Sequence, residues 1–143
     1  MIQFSDTIAV ARPPRDVFAF VADLNNIPKW QAEVVTSKVV TPGPTKAGTR
    51  FTEDVKMGPM RVTAMCEVTE FAADKMMAFK AESSAISYQG RVVVEPSGTG
   101  TDLTISGTAN LKGLWKLMQP MMRGEFKSGI SKELAAIKAI LEK

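Results

Sequence analysis

The chain has 143 residues, of which 45% are hydrophobic and 23% are charged, as is ordinary for one globular domain. It contains no histidine, so Ser-His-Asp and Cys-His catalysts are excluded and a zinc site is not expected. The net charge is +3, and the segment from Lys112 to Lys143 carries seven basic and three acidic residues. Nucleic-acid binding would need denser Lys and Arg with interleaved aromatics, so this bias favours a solvated helix face.

Three features of the sequence predict a cytoplasmic protein. Cys66 is the only cysteine, so we expect no internal disulfide and no thiol metal site. No apolar run approaches the roughly 20 residues that span a bilayer, and the start, Met1 to Asp6, lacks a basic region followed by a long apolar region. We therefore predict one domain over residues 1–143, with no metal, no cofactor and no transmembrane segment.

The first part of the chain passes from a strand pattern to a helix pattern. Phe4 to Ala11 alternates with a period of 2, which predicts a first strand. Pro13-Pro14 ends this strand, and apolar residues then recur at helical spacing, which predicts a short helix from Pro14 to Asp23. Asn25-Asn26 breaks this helix, and Ile27 to Gln31 is interpreted as a second short helix or turn.

From Val34 to Leu111 the apolar period is 2, and short turns separate the segments. The exposed loop Pro42 to Gly48 and the turns Gly58-Pro59 and Ser97 to Asp102 interrupt the pattern. The predicted strands are centred on residues 34–40, 50–57, 62–68, 77–81, 86–94 and 103–111. Because short turns join neighbouring strands, the sheet is predicted to be antiparallel.

The last segment, Gly113 to Lys143, returns to helical spacing. At about 1.5 Å per residue, such a helix is long enough to cross the whole sheet. Pro120 removes one backbone donor, so we expect the helix to bend there. Its apolar stripe contains Leu114, Met118, Met122, Phe126, Ile130, Leu134, Ile137 and Leu141.

Four motifs make the chain resemble a known superfamily. They are Pro13 to Asp23, Asn26 to Trp30, Glu67 to Phe71 and Gly100 to Thr104. With the element order β-α-α-β6-α, they resemble the START-like (SRPBCC) superfamily, which groups polyketide cyclases and dehydrases, lipid-transfer domains, coenzyme Q-binding proteins and plant pathogenesis-related proteins. The resemblance covers essentially the whole chain. It is specific for the fold and not for an activity.

The resemblance implies an α+β helix-grip fold, in which a seven-stranded curved antiparallel sheet wraps on a long C-terminal helix and leaves an apolar cavity. The two short helices would form part of the cavity wall. Together with the inward strand phases, this nominates a ligand-binding set: Trp30, Phe51, Ala64, Met77, Phe79, Tyr88, Met118, Met122 and Phe126. Trp30 either lines this cavity or packs the short helices onto the sheet.

Two features of the composition bear on how open the core is. The nine methionines, which cluster at Met57 and Met60 and near Pro120, either fill irregular core gaps or form an adaptable apolar surface. Small residues in the inward phase either leave room for a ligand or let the long helix approach closely. They are Ala64, Cys66, Ala81, Gly90, Gly107 and Ala109.

Two carboxylates share a strand phase with apolar residues. Asp6 follows the phase of Phe4, and Glu53 follows the phase of Phe51. In an apolar cavity, such a group would have a raised pKa and could act as a general acid or base. Asp6, Glu53 and Tyr88 are therefore the weak candidates for catalytic residues, and the alternative interpretation is an exposed strand position or bulge for Asp6 and a solvent-facing rim position for Glu53. Cys66 is interpreted as a buried small hydrophobe.

Three functions are compatible with the sequence. The first is a carrier or sensor of a small hydrophobic ligand, with loops 42–48 and 57–60 as candidate gates. The alternative is an enzyme similar to polyketide cyclases and dehydrases, which uses a cavity carboxylate and a tyrosine. The third is an interaction module, in which the basic C-terminal helix binds a protein or a membrane surface. The sequence leaves open whether the chain forms a homodimer.

Overall fold

The computed structural model describes residues 1–57 and 59–143. Within these residues there are seven strands: β1 (Ile2–Val10), β2 (Val34–Val39), β3 (Arg50–Met57), β4 (Met60–Ala72), β5 (Met76–Glu82), β6 (Ile86–Ser97) and β7 (Gly100–Leu111). The α-helices are α1 (Pro14–Val21), α2 (Ile27–Trp30) and α3 (Gln119–Leu141). Two 3-10 helices, Leu24–Asn26 and Gly113–Met118, precede α2 and α3.

The strands form a single antiparallel sheet in the order β1-β7-β6-β5-β4-β3-β2. Consecutive strands from β2 to β7 are neighbours, and β1 pairs with β7 along its whole length. The curved sheet and the long C-terminal helix confirm the predicted α+β helix-grip arrangement. No helix of the described chain is both long and apolar enough to cross a membrane.

The two short helices close one end of the sheet. Pro14 lies in the first turn of α1, where a missing backbone N–H is tolerated. The Asp23 side chain then accepts a hydrogen bond from the Asn25 backbone N–H at 3.0 Å and starts the following 3-10 helix. Trp30, at the end of α2, is only 3% exposed and belongs to the main hydrophobic core.

The second half of α3 is fixed firmly to β1. Ile130, Leu134 and Ile137 are almost completely buried, and α3 packs mainly against β1. The last turn is also tied by hydrogen bonds: Lys138 Nζ donates to the Ala9 carbonyl at 2.7 Å. Arg12 Nη1 donates to the Leu141 carbonyl at 2.9 Å, and the Ala11 N–H donates to Glu142 Oε2 at 2.7 Å.

The start of the C-terminal segment differs from the prediction. Pro120 does not bend the interior of a continuous α-helix, because it lies in the first turn of α3, directly after the 3-10 helix. A 3-10 helix has about 3.0 residues per turn, so it does not continue the α-helical stripe. Large apolar side chains of this region therefore face solvent, with Leu114 85%, Leu117 80%, Met118 41% and Met121 75% exposed.

Candidate ligand-binding cavity

A cavity of about 410 Å³ lies between the sheet and the first half of α3. Its wall on the sheet comes from β3 to β6, and its other wall comes from α3 and from the segment that joins α2 to β2. The lining residues are Gln31, Glu33, Val34, Glu53, Val55, Lys56, Val62, Ala64, Phe79, Ala81, Ser83, Ile86, Tyr88, Met122, Glu125, Phe126, Gly129, Ile130 and Glu133.

The cavity exists because the side chains that face each other across it are small. Ala64 on β4 and Ala81 on β5 line it from the sheet, and Gly129 lines it from α3. A filled core would carry large apolar side chains at these positions. Since α3 packs mainly against β1, the inner face of β3 to β5 keeps free volume. For Ala64 and Ala81, the structure thus favours the interpretation that small residues leave room for a ligand over the interpretation that they let the long helix approach closely.

A row of aromatic rings crosses the inner face of the sheet. Ring centroids are 5.9 Å apart for Phe126 and Phe4, 5.7 Å for Phe4 and Tyr88, and 5.9 Å for Tyr88 and Phe79. Phe51 and Phe79 form an edge-on pair with ring centroids 6.3 Å apart, which ends the row. Such offset and edge-on pairs contribute about 0.5–1.5 kcal/mol each beyond their buried area. The row gives the cavity a rigid aromatic floor.

Two glycines make this row possible. Gly90 lies opposite Phe79, and Gly107 lies opposite Phe4, in the strand pairing. A Cβ atom on Gly90 would come within 2.9 Å of Phe79 Cζ, and one on Gly107 within 2.8 Å of Phe4 Cζ. The small residues at these positions therefore accommodate rings rather than a ligand or the long helix.

Glu53 is a buried carboxyl group in the cavity wall. Its side chain is only 5% exposed, and its Oε2 atom has no hydrogen-bond partner among the residues that the structure describes. Burial raises the pKa of Glu53 from 4.5 to about 7, against the opposing effect of the neighbouring Cys66 thiol. Burial, followed by the charge of Glu53, raises the pKa of Cys66 above its usual range. This thiol is therefore protonated and unreactive near neutral pH.

A second carboxyl group, Glu133, enters the cavity from α3. Burial raises its pKa from 4.5 to about 8, and the negative charges of Glu33 and Glu53 add to this effect. A hydrogen bond with Gln31 acts in the opposite direction. Near neutral pH, Glu133 is therefore largely protonated, whereas Glu53 is about half protonated.

Tyr88 is the polar group on the aromatic floor. Burial raises its pKa, and the charges of Glu133 and Glu53 raise it further. The phenol therefore keeps its proton and can donate a hydrogen bond to a ligand oxygen. Within residues 1–57 and 59–143, no group of three His, Cys, Asp or Glu side chains is arranged to hold a metal ion.

The structure brings some of the nominated residues together and separates others. Ala64, Phe79, Tyr88, Met122 and Phe126 line the cavity, together with Glu53. The remaining nominated ligand-binding residues, Trp30, Phe51, Met77 and Met118, do not line it. The first three are buried in the core, whereas Met118 is 41% exposed.

Asp6 and loop 42–48 do not line the cavity. Asp6 is exposed on β1, where it accepts hydrogen bonds from the Thr7 N–H at 2.8 Å and from Ser131 Oγ at 3.4 Å. Loop 42–48 does not contribute to the cavity lining. The second candidate gate, residues 57–60, includes Gly58, which lies outside the described residues.

Several polar lining residues were not nominated from the sequence. Glu133 follows Phe126 and Ile130 and precedes Ile137 at intervals of seven, three and four, so it shares their helix face. A charged residue at apolar spacing was therefore the available signal. Gln31, Glu33 and Glu125 carry no comparable signal, because they lie in a short connection or on the exposed side of a helix.

Comparison with known proteins agrees with this architecture. The START superfamily protein from Mycobacterium smegmatis has 16% identity and a TM-score of 0.83, over 99% of this chain and 98% of that chain. A protein from Thermus thermophilus has 19% identity and a TM-score of 0.82, over 98% and 97%. An aromatase/cyclase from a Streptomyces species has 12% identity and a TM-score of 0.78, over 98% and 93%. At these identities, the likeness shows the fold alone.

The fold and the cavity define a helix-grip domain. Residues 1–142 match the family described as polyketide cyclase/dehydrase and lipid transport, and the chain belongs to this family. No curated protein sequence matches the chain significantly.

Proposed function

We propose that this protein binds a small hydrophobic molecule in the cavity between the sheet and α3, as a carrier or a sensor. The observation that carries this proposal is the cavity itself, about 410 Å³ in volume with a mainly apolar lining. Ligand pockets typically measure about 300–1,000 Å³ and combine an apolar wall with a few polar groups. The polar groups of this cavity, Glu53, Glu133 and Tyr88, would orient the ligand. Membership of a family that includes lipid transport supports the same function.

Native mass spectrometry of freshly purified protein, compared with its denatured mass, tests this proposal. We expect an adduct of a few hundred daltons that is lost on denaturation. Ala64→Leu places a larger side chain in the cavity and should reduce the adduct. Met65→Leu on the outer face of the same strand, where Met65 is 60% exposed, should leave it unchanged. A clean native mass, together with no saturable binding of a neutral naphthyl alcohol, would contradict the proposal.

A second candidate function is acid–base catalysis of the cyclase or dehydrase type. It is favoured by a specific observation: Glu53, with a pKa of about 7, lines the same cavity as Tyr88. Such a carboxyl group can exchange a proton with a substrate near neutral pH, and the phenol can stabilise an enolate. If the protein converts a poly-β-ketone, Glu53→Gln should lower turnover by about 10²–10⁴-fold while binding is retained. Conversion followed by chromatography measures this, and equal turnover by both proteins would exclude the role of Glu53.

A further inference from the structure

The charges around the cavity are strongly one-sided. Glu33, Glu53, Glu125 and Glu133 all line it, whereas Lys56 is the only basic residue among the described residues of its wall. Once Glu53 and Glu133 are ionised, an anionic ligand such as a fatty acid would bring one more negative charge to this group and would be repelled. A cationic ligand would be attracted.

Glu53 also lacks a partner that a ligand could supply. Its side chain is 5% exposed, and Oε2 has no hydrogen-bond donor within the described part of the chain. An unsatisfied buried polar atom is costly, so a ligand that donates a hydrogen bond there gains affinity. Because the charge of Glu53 raises the pKa of Glu133 and both groups line the cavity, a positive group bound near them would stabilise both as carboxylates.

We infer that the ligand is an amphipathic amine, whose apolar body fills the cavity and whose protonated nitrogen pairs with Glu53 and Glu133. This inference rests on the proposed function, because it requires that the cavity binds a small hydrophobic molecule. The aromatic floor of Phe79 and Tyr88 suits such a ligand, since a cation is also attracted to the face of an aromatic ring. The amine is therefore recognised by charge at one wall and by apolar contact along the floor.

The inference has a defined dependence on pH. The groups that face the carboxyl pair are Cys66 on β4, Tyr88 on β6, Glu125 on α3, Glu33 before β2 and Lys56 on β3. Without ligand, the carboxyl groups titrate at about 7 and about 8. Binding of a cation lowers both pKa values, so protons are released near pH 7. Affinity for the amine should rise as pH increases through this window, until the amine itself loses its proton near pH 10.

Three probes of the same size test the inference: 2-naphthylethylamine, 2-naphthylethanol and 2-naphthylacetate. Isothermal titration calorimetry at about pH 6, about pH 7 and about pH 9, in buffers of different ionisation enthalpy, gives both affinity and proton release. At the higher pH we expect the amine to bind about tenfold tighter than the alcohol or better, and the acetate to bind weakest. Near pH 7, only the amine should release protons.

Variants sharpen this test. Glu53→Gln and Glu133→Gln should each weaken amine binding by about tenfold and leave alcohol binding nearly unchanged, since each removes one negative charge. Glu95→Gln, an exposed position on β6, serves as the matched control. Equal affinity of amine and alcohol would overturn the inference and leave the proposed function intact. Failure of all three probes to bind would overturn both, and because wild-type protein is used, this result does not depend on the folding of a variant.

A separate observation concerns the surface beside the cavity. Leu114, Leu117 and Met121 are at least 75% exposed, and Met118 is 41% exposed. We call these four residues the 114–121 patch. It adjoins the cavity, because Met122 follows it directly and lines the cavity wall. Trp115, in the same segment, packs against the small core cluster of Ala85 and Leu111. Val55, Val62 and Ile86 pack against the same cluster and line the cavity.

The charges around the 114–121 patch are positive. Lys116 lies among its residues, and Arg123 and Lys127 follow on the exposed surface of α3. No acidic residue occurs between Lys112 and Arg123. Exposed Leu and Met side chains flanked by Lys and Arg are typical of segments that lie in the interface of an anionic membrane. We propose that the 114–121 patch binds an anionic lipid surface and places the cavity next to it.

Sedimentation with lipid vesicles tests this second proposal. Wild-type protein should bind vesicles that contain phosphatidylglycerol, and binding should weaken with phosphatidylcholine alone or at high salt. The double variant Leu114→Gln/Leu117→Gln should lose most of this binding, whereas Met65→Gln on the outer face of β4 should keep it. No binding to either vesicle, or equal binding by the double variant, would overturn the proposal. A concentration-dependent dimer that the double variant abolishes would instead assign the patch to a second copy of the chain.

Discussion

The two halves of the C-terminal segment meet the same sheet in different ways. From Ile130 onwards, α3 buries one large apolar side chain per turn against β1 and ends in the hydrogen bonds around Arg12. Before Ile130, the half-buried Met122 and Phe126 border free volume, and the residues that precede them are exposed. Within α3, the apolar spacing is similar before and after Ile130, so the residues that oppose the helix decide whether the core is sealed or open. Where large side chains oppose α3, the core is sealed. Where Ala64 and Ala81 oppose it, a cavity remains.

The largest effect should come from the sealed half. Leu134→Ala removes a side chain that is 1% exposed and leaves a void that the neighbouring strand β1 cannot fill. We expect a loss of about 2–5 kcal/mol in the free energy of unfolding, measured by urea denaturation. Phe126→Ala in the other half should cost clearly less, because its ring already borders the cavity. Equal losses at the two positions would mean that the halves are packed alike.

The second-largest effect on stability should come from the ionisation of Glu53 in the cavity wall. The pKa of Glu53 is about 7 in the folded protein and 4.5 when it is unperturbed. The folded state therefore binds more protons between these values, and stability falls as pH rises through this window. Glu53→Gln removes this penalty and should stabilise the protein by about 2–3 kcal/mol above pH 7. Denaturation curves across the pH range test this, and an unchanged pH dependence in the variant would show that other groups cause it.

Two glycine-to-alanine substitutions should change stability in opposite directions. Gly107 lies opposite Phe4 in the sheet, and Gly124 lies in α3. A Cβ atom on Gly107 would lie 2.2 Å from the Gln89 carbonyl oxygen, so Gly107→Ala should lower stability by about 1–3 kcal/mol. Gly124 in α3 has no atom within 4 Å of such a Cβ. Gly124→Ala should therefore raise stability by about 0.4–1 kcal/mol, as is usual for a helical glycine. Thermal melts of both variants measure the two changes in stability. A loss of stability in Gly124→Ala would contradict the free space around Gly124 in the first half of α3.

The smallest effect on stability should come from the 114–121 patch. Leu117 is 80% exposed, so Leu117→Gln should change the free energy of unfolding by no more than about 0.5 kcal/mol. Chemical denaturation of the variant checks this value. A larger loss would show that Leu117 is packed against the protein, and it would weaken the case for a docking surface.

These differences explain how far the sequence could be interpreted. Alternation along the strands and the turns between them predicted the sheet, because each strand has one buried and one exposed face. The same phases placed Phe79 and Tyr88 on the inner face, but inner-face residues also include Phe51 and Met77, which the surrounding core covers. Periodicity identifies a face and not the part of it that stays open.

The errors near α3 have local causes. α-Helical spacing places Met118 on the apolar stripe, but Met118 belongs to a 3-10 helix with a different angular step. Glu133 is charged and so reads as solvent-facing, although its helix face is apolar. The role of Gly90 and Gly107 depends on which residues lie opposite them across the sheet, and this register follows only from the folded structure.

Cys66 allows the motions of this fold to be followed directly. It is 4% exposed, lies beside Glu53 and carries the only thiol of the chain. A thiol-specific reagent can reach Cys66 only when the inner face of the sheet becomes accessible. The labelling rate therefore measures how often this opening occurs. A molecule that occupies the cavity should slow the labelling in proportion to its occupancy. The labelling rate of Cys66 therefore reports how often the cavity opens, without any engineered label.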